Sequence, residues 1–286
     1  MTVRPRRSAL YMPGANARAL EKARTLDADV LLLDLEDAVA PAQKAEARAR
    51  VVEALRAGGY GHRELVVRVN GRGTPWAAED LRAAAGSGAD AVLLPKVEDA
   101  AAIREAEAAL AAAGAPAGLA LWAMIETPRG VLRAAEIAAS PRLACLVAGT
   151  SDLVKDLGAR HTAARTEVLA SLSLIVLAAR AHGLACLDGV HLDLDDEAGL
   201  AAACAQGRDL GFDGKTLIHP RTIAAANHAF GPSAAEVEQA RRIMVAHAEV
   251  ESFGRGVVVV DGRLVEALHV AAARRTLALA DAIAAR

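Results

Sequence analysis

The sequence predicts a (β/α)8 barrel followed by a C-terminal helical extension. Along residues 1–230, eight short apolar runs alternate with alanine-rich segments of helical periodicity. Some of the runs, such as Val30–Leu33, are apolar without a break, which is typical of a parallel sheet covered by helices. A chain of 286 residues has room for eight strand–helix units, which need about 250 residues, and for an extension.

Each strand of the barrel is predicted from one apolar run. The eight runs are Ser8–Met12, Val30–Leu35, Leu65–Asn70, Ala91–Pro95, Leu119–Ile125, Leu143–Ala148, Leu184–Val190 and Gly214–Ile218. Helices are predicted between them, among others over Ala15–Leu26, Gln43–Ala57, Val97–Ala113, Gly130–Ala139, Ala164–His182 and Ala198–Leu210. The pair Thr127 and Pro128 places a capping residue and then a proline at the start of the helix after the fifth strand.

The pattern changes after Phe230, so residues 1–230 are predicted as the barrel and 231–286 as a C-terminal extension. Ser233 and Glu236 have the spacing of a capping box, which opens a helix through about Glu251. A glycine-rich turn, the run Val257–Val260, the pair Asp261 and Gly262, and a final helix follow. The extension either packs under the barrel or covers the active site of a neighbouring subunit.

A doubly wound open sheet is the rival architecture, since a count of eight strands does not exclude it. No Gly-x-Gly-x-x-Gly follows the first strand, however, so a dinucleotide fold lacks its main sequence signal. The barrel is therefore favoured.

Composition excludes several classes of function. Charged residues make up 24% of the chain at a net charge of −2, and aromatic residues make up 2%. A nucleic-acid or anionic-membrane partner would need a basic excess or stacking platforms. The three cysteines form no Cys-x-x-Cys pair, and the apolar stretch behind the basic N-terminus is too short for a signal peptide. We expect a soluble, cytoplasmic protein.

Polar residues stand where the predicted strands end, and in such barrels the chemistry lies at the carboxyl ends of the strands. In strand order they are Asp34, Glu36, Asp37, Arg68, Asn70, Lys96, Glu126, Asp152, Asp188 and His219. Single acids in such places often cap helices. The whole set on one rim indicates an active site.

The residue types on this rim favour magnesium over zinc. Histidine and cysteine do not dominate, whereas Mg²⁺ takes one or two carboxylates and fills its remaining positions with substrate and water. Glu126 and Asp152, at neighbouring strand ends, are the predicted metal ligands, and Glu126 is also predicted to face the substrate. Arg68 is predicted to bind a substrate carboxylate or a developing enolate oxygen. Together they suit bond making or breaking beside a carbonyl group.

These residues and their spacing resemble those of the citrate lyase beta-subunit-like proteins of the HpcH/HpaI aldolase superfamily, which include malyl-CoA and citramalyl-CoA lyases. The resemblance covers nearly the whole chain. The segments that carry it are Arg7–Gly14, Arg18, Lys22, Asp34–Val39, Val67–Asn70, Leu94–Lys96, Ile125–Thr127, Gly149 with Asp152, Gly211–Lys215 and Ile218–Pro220.

The resemblance implies a Mg²⁺-dependent carbon–carbon lyase that cleaves a 3-hydroxyacyl thioester, such as citryl-, malyl- or citramalyl-CoA, into an acyl-CoA and an oxo acid. It implies a homotrimer or hexamer. It assigns Glu126 and Asp152 to the metal, Arg68 to substrate and catalysis, and Arg18 and Lys22 to the CoA phosphates. For the last two, a solvated helix face is an equally good explanation.

The chain departs from the family pattern at one position. Malyl-CoA-lyase-like members supply an aspartate from the C-terminal cover as an acid/base, and Glu266 stands at the corresponding place here. Glutamate keeps the carboxylate but is one methylene longer, and a shift of about 1 Å can cost on the order of a hundredfold in rate. Glu266 is therefore a candidate catalytic residue, with a surface role or different chemistry as the alternatives.

The remaining polar residues are predicted to support the site. Asp34, Glu36 and Asp37 are expected to orient Arg68, Lys96 or metal-bound water. Glu36, Asp37 and Lys96 are thus placed outside the metal's own ligands. Three alternative functions stay open: the beta subunit of a citrate lyase complex that acts on an acyl carrier protein thioester, a malyl-CoA-type thioester hydrolase, and a binding protein that has lost its base.

Overall fold

The computed structural model describes residues 4–251 and 258–286. Eight parallel strands form a closed barrel in chain order, since the first strand pairs with both the second and the eighth. The strands are β1 (Ser8–Pro13), β2 (Val30–Asp34), β3 (Glu64–Arg68), β4 (Ala91–Leu94), β5 (Ala120–Ile125), β6 (Leu143–Ala148), β7 (Ala185–Asp188) and β8 (Gly214–Leu217). The predicted (β/α)8 fold is confirmed.

Helices connect the strands. They are α1 (Ala17–Ala23), α2 (Lys44–Ala57), α3 (Ala77–Ala85), α4 (Ala100–Ala112), α5 (Pro128–Leu132), α6 (Ala134–Ala138), α7 (Thr150–Asp156), α8 (Leu169–Ala181), α9 (Glu197–Leu210) and α10 (Ile223–Phe230), with 3-10 turns at Pro41–Gln43 and Pro220–Thr222. Thr127 is the N-cap of α5 and accepts a hydrogen bond from the Gly130 N–H at 3.1 Å, as predicted.

Two predicted helices differ most from the structure. The single helix expected over Gly130–Ala139 is two short helices, which meet at Arg133. The helix expected from Ala164 begins at Leu169. Arg165 has a left-handed backbone (φ 54°), which a helix excludes, and its side chain is tied to Asp188 by hydrogen bonds of 2.8 Å.

The barrel interior is filled by alternate side chains of the strands, because successive side chains of a strand point to opposite faces. This core consists of Ala9, Val30, Leu32, Val66, Ala91, Leu93, Trp122, Met124, Cys145, Val147 and Leu187. Continuing the same alternation toward the carboxyl ends brings Asp34, Arg68 and Glu126 to the inner face. The inner face therefore changes from apolar to charged where the strands end.

The described residues divide into two compact units, one of residues 6–227 and one of residues 4–5, 228–251 and 258–286. The second unit contains α11 (Ala234–Glu251), an antiparallel pair of β9 (Val258–Val260) and β10 (Arg263–Val265), and α12 (Ala267–Ala284). The predicted glycine-rich turn and Val257 lie outside the described residues.

The second unit contains the predicted capping box and a tight turn whose residue types suit its backbone. The Ser233 hydroxyl accepts from the Glu236 N–H at 3.2 Å, and the Glu236 carboxylate accepts from the Ser233 N–H at 2.7 Å, which is the predicted capping box. Asp261 and Gly262 both have positive φ (50° and 75°), as the tight turn between β9 and β10 requires. Val260, Val265 and Val270 form the apolar core beneath this hairpin.

No helix within the described ranges has the length and apolar character to cross a lipid bilayer.

Candidate active site

A cavity of about 360 Å³ lies at the carboxyl ends of the barrel strands. Its acidic and basic lining comes from β2 and the loop after it, from β3, from the residue after β5 and from the first turn of α7. Most of its apolar lining comes from β5, β6 and the loops after β7 and β8. The lining residues are Tyr11, Asp34, Asp37, Ala38, Arg68, Met124, Glu126, Ala148, Gly149, Thr150, Ser151, Asp152, Val190, Leu192, Thr216 and Ile218. The predicted metal ligands Glu126 and Asp152 and the predicted substrate-binding Arg68 thus share one cavity, and the predicted supporting acid Asp37 lines it as well.

Arg68 is held by acids at the end of β2 and in the loop after it. Its Nε and Nη2 donate to the two carboxylate oxygens of Asp34 at 2.7 Å each, and Nη1 lies 2.8 Å from Glu36 Oε2. The guanidinium also stacks on the Tyr11 ring, 4.7 Å from its centroid. Burial by itself lowers the pKa of Arg68, but the hydrogen bonds and charge of Asp34 outweigh it and raise the pKa. Arg68 is therefore a permanent, oriented cation.

Glu126 is a buried carboxyl group directly after β5. Its Oε1 accepts a hydrogen bond from the Lys96 N–H at 2.7 Å. Burial, assisted by the charge of Glu36, raises the pKa of Glu126 to about 8. The side chain packs so closely on Gly149 that a Cβ there would lie 2.4 Å from Glu126 Cβ. Glycine at 149 is thus required by the position of Glu126.

Asp152 reaches the cavity from the first turn of α7, where a carboxylate is favoured by the helix dipole. Its side chain is 28% exposed, and its Oδ2 lies 3.6 Å from Lys96 Nζ. The turn that begins α7 packs against the next strand end, because a Cβ at Gly189 would lie 2.4 Å from Thr150 Oγ1. This packing fixes the start of α7 and therefore the position of Asp152.

The loop after β2 is held by main-chain contacts that the strand pattern alone does not reveal. Asp34 accepts from the N–H groups of Glu36 and Ala38 at 2.8 and 3.0 Å. Lys44 Nζ donates to the carbonyl oxygens of Leu35 and Glu36 at 2.8 and 2.7 Å. Burial raises the pKa of Glu36 to about 7, although the charge of Arg68 opposes this. Asp37 contributes a longer contact of 3.4 Å to Arg68.

The carboxylate groups at this end of the barrel suit a divalent cation that prefers oxygen ligands. Five carboxyl groups gather at this end, namely Asp34, Glu36, Asp37, Glu126 and Asp152, and their ion pairs among the described residues involve two cations, Arg68 and Lys96. Among the same residues no three His, Cys, Asp or Glu side chains converge as metal ligands. A cation held by two carboxylates and completed by substrate oxygens and water matches this arrangement, which is the coordination habit of Mg²⁺.

Several cavity residues were not anticipated from the sequence. Tyr11 lies beneath Arg68, and the hydroxyl-bearing Thr216 lines the wall. The inward alternation of β1 could have identified Tyr11, which is two residues after the core residue Ala9. The apolar wall of Val190, Leu192 and Ile218 lies in loops and strand ends whose direction is set by tertiary packing.

Asp188 does not join the cavity rim. The residue before it, Leu187, belongs to the interior core, so Asp188 points to the outer face of β7. There it is fully buried and accepts from Lys215 Nζ at 2.8 Å and from Arg165 Nη1 at 2.8 Å. His219 caps the turn after β8, where its Nδ1 accepts from the Arg221 N–H at 3.2 Å.

The predicted CoA-binding residues, Arg18 and Lys22, are exposed on α1, which follows β1. Glu266 is the N-cap of α12 in the second unit, and its N–H donates to His269 Nδ1 at 3.0 Å. The roles predicted for these three residues, like those of Arg68, Glu126 and Asp152, stay predictions.

The model of one protein family, described as HpcH/HpaI aldolase/citrate lyase, matches residues 7–220 of the chain. Among curated proteins, a (3S)-malyl-CoA thioesterase of Cereibacter sphaeroides is 54% identical over 98% of this chain and 96% of its own length. The citrate lyase subunit beta of Escherichia coli is 38% identical over 97% of this chain and 94% of its own length.

Solved structures of similar sequence share the fold. The protein CitE from Mycobacterium tuberculosis, in complex with magnesium, acetoacetate and coenzyme A, superposes with a TM-score of 0.78 at 32% identity and covers 98% of this chain and 100% of its own. A citrate lyase beta subunit from the same organism, complexed with oxaloacetate and magnesium, gives a TM-score of 0.69 at 35% identity, over 81% of this chain and 100% of its own.

Proposed function

Since this chain belongs to the HpcH/HpaI aldolase/citrate lyase family, as its motifs predicted, we propose that it is a Mg²⁺-dependent carbon–carbon lyase acting on a malyl-type 3-hydroxyacyl-CoA thioester. The observation that carries the proposal is the convergence of Arg68, Glu126 and Asp152 on one cavity at the catalytic end of the barrel. The CitE complexes contain magnesium together with a keto acid, one of them with coenzyme A as well.

Glu126 and Asp152 would hold the Mg²⁺, which supplies Lewis-acid polarisation of a substrate oxygen when bound. Glu126 binds a cation as the carboxylate, so its proton must leave first. The Lys96 N–H keeps one Glu126 oxygen oriented at 2.7 Å, and the glycine at 149 leaves the side chain room to adopt this position.

Arg68 would stabilise negative charge that develops on a substrate oxygen. Asp34 and Glu36 hold the guanidinium in one orientation, and the stacked Tyr11 ring supports it from one side. A charge that is oriented before substrate arrives needs no reorganisation during the reaction, and one such donor contributes roughly 10²–10³ in rate.

In the cleavage reaction, the bond between carbons 2 and 3 of the 3-hydroxyacyl group breaks. The 3-hydroxyl loses its proton and becomes the carbonyl of the oxo acid, while carbon 2 gains a proton and remains part of the acyl-CoA. Glu266 is the proposed acid/base for these proton transfers, because it stands at the family's aspartate position.

Hydrolysis of the same thioester is a second candidate, favoured by the 54% identity to proteins named (3S)-malyl-CoA thioesterase against 38% to citrate lyase subunit beta. In this reaction water attacks the thioester carbonyl, and malate and free CoA leave. The same oriented Arg68 would stabilise the oxyanion that forms.

One incubation distinguishes the two reactions. Purified full-length protein is mixed with (3S)-malyl-CoA and Mg²⁺, and the products are identified by mass, with EDTA as the metal-free control and citryl-CoA and citramalyl-CoA as further substrates. Acetyl-CoA with glyoxylate indicates the lyase, and free CoA with intact malate indicates the hydrolase. Absence of turnover with every CoA ester contradicts the proposal.

The oligomeric state, the cellular location and an alternative thioester substrate are proposals as well. We propose a homotrimer or hexamer, checked by light scattering on the eluted protein, and a cytoplasmic location. An acyl carrier protein thioester is the substrate to be tested if the CoA esters are not turned over, because some relatives are named citrate lyase subunit beta.

A further inference from the structure

Lys96 contacts three acids at the carboxyl ends of the barrel strands, two of which, Glu126 and Asp152, line the cavity. Its N–H donates to Glu126 Oε1 at 2.7 Å, and its Nζ lies 3.7 Å from Glu36 Oε1 and 3.6 Å from Asp152 Oδ2. The side chain is half exposed, so its ammonium reaches these acids along a flexible stem from the solvent side. The main chain of Lys96 is thus hydrogen-bonded to one proposed metal ligand, Glu126, while its ammonium group lies near the other, Asp152.

The backbone at Lys96 is left-handed, with φ of 50°. A lysine in this region is strained, whereas glycine avoids the strain and asparagine tolerates it. Hydrogen bonds on both sides maintain the conformation, since the Lys96 N–H is bound to Glu126 and the Val97 N–H donates to the Met124 carbonyl at 3.2 Å. Strain of this kind at a cavity rim is a reason to look for a function of the side chain.

The ammonium and a divalent cation would attract the same carboxylate of Asp152. Two cations a few ångströms apart repel each other, so the presence of one weakens the binding of the other to Asp152. The other charged groups that act on this ammonium are Glu36, Glu126 and Asp37, which attract it. Arg68 is paired with Asp34 and Glu36.

We propose that the Lys96 ammonium competes with the divalent cation for Asp152, so that cation binding displaces it from this carboxylate. The inference rests on the metal site of the proposed function. Lys96 is then a positioning residue that holds Asp152 and Glu36 in place before the cation binds and lowers the affinity for the cation.

The test is to titrate the full-length protein with Mn²⁺ alone and to measure the Mn²⁺ affinity by isothermal calorimetry at constant pH and ionic strength. Lys96→Gln removes the charge, and Lys96→Arg keeps it. Lys155→Gln is the matched control, because it removes an exposed positive charge from the same helix as Asp152. We expect Lys96→Gln to bind Mn²⁺ roughly tenfold more tightly, with Lys96→Arg and Lys155→Gln within about twofold of the wild type.

An unchanged or weaker Mn²⁺ affinity in Lys96→Gln overturns the inference while leaving the proposed function intact. If Lys96→Gln does not fold, Lys96→Asn replaces it, since asparagine tolerates the left-handed backbone, and the same tighter binding is expected. If the wild type binds no Mn²⁺, the metal site of the proposed function fails and this inference fails with it.

Discussion

At the scale of single residues, Glu126 and Asp152 have different surroundings although both line the same cavity. Glu126 is buried and hydrogen-bonded to the main chain, whereas Asp152 is partly exposed at a helix start. One buried and one accessible carboxylate suit a cation that is held by the protein on one side and by substrate or water on the other.

Glu126→Gln and Asp152→Asn are each expected to lose Mn²⁺ binding in calorimetry and to lower Mg²⁺-dependent turnover below about 1% of wild type. Both substitutions preserve side-chain size, so the far-UV circular dichroism spectrum should not change. A variant that still binds Mn²⁺ with wild-type affinity would remove that residue from the metal site.

Arg68→Lys is expected to lower kcat/KM roughly a hundredfold, because an ammonium cannot reproduce the paired N–H groups that bind Asp34. The measurement is steady-state kinetics with the substrate identified by the product analysis, with thermal unfolding as the check on folding. Normal kinetics in the lysine variant contradict the role assigned to the guanidinium.

At the scale of elements, the site is made from strand ends and from the turns that follow them. Gly149 allows β6 to end beside Glu126, and Gly189 allows the end of β7 to pack on Thr150. The loop after β2 depends on Lys44, which donates from the first turn of α2 to two carbonyl groups. Small residues and buried donors in these turns therefore position the acids.

Glu266 combines a capping position with a proposed catalytic role, and two substitutions separate them. Glu266→Ala removes the cap of α12 and is expected to cost about 1 kcal/mol of stability. Glu266→Asn keeps a capping side chain but has no carboxylate, so we expect wild-type stability and a large loss of kcat. Thermal unfolding and kinetics are measured together, and a wild-type kcat in Glu266→Asn would show that this residue is no acid/base.

At the scale of the whole molecule, the acid cluster links metal binding, stability and pH. Burial raises the pKa of Glu126 to about 8 and that of Glu36 to about 7. An acid with a raised pKa binds its proton more tightly in the folded than in the unfolded chain, so its contribution to stability is present at low pH and is lost as pH rises through the folded pKa. The metal-free protein should therefore become less stable between about pH 5 and 8.

The stabilisation by Mg²⁺ is expected to have the opposite pH dependence. A cation binds the deprotonated carboxylates, so its Kd should tighten by up to about tenfold per pH unit below pH 8. The increase in Tm on adding Mg²⁺ should therefore be larger at pH 8 than at pH 6, and Glu126→Gln should abolish it. The same Tm increase at both pH values would contradict the coupling.

The positions of the eight strands could be predicted from the sequence to within two residues at each end, because buried parallel strands are short apolar runs between amphipathic helices. The helix break at Arg133 and the late start of α8 were missed. The second of these depends on Arg165 reaching Asp188 in a distant strand, and local periodicity contains no information about such a contact.

The order of strands and the polar residues at their ends determined, without any coordinates, that Arg68, Glu126 and Asp152 would meet, because parallel strands in a closed barrel bring their carboxyl ends to one rim. The tertiary structure alone decided the rest. It sent Asp188 to the outer face, stacked Tyr11 under Arg68, and strained Lys96 between three acids. These outcomes depend on contacts between residues far apart in the chain, and such contacts exist only after the barrel has closed.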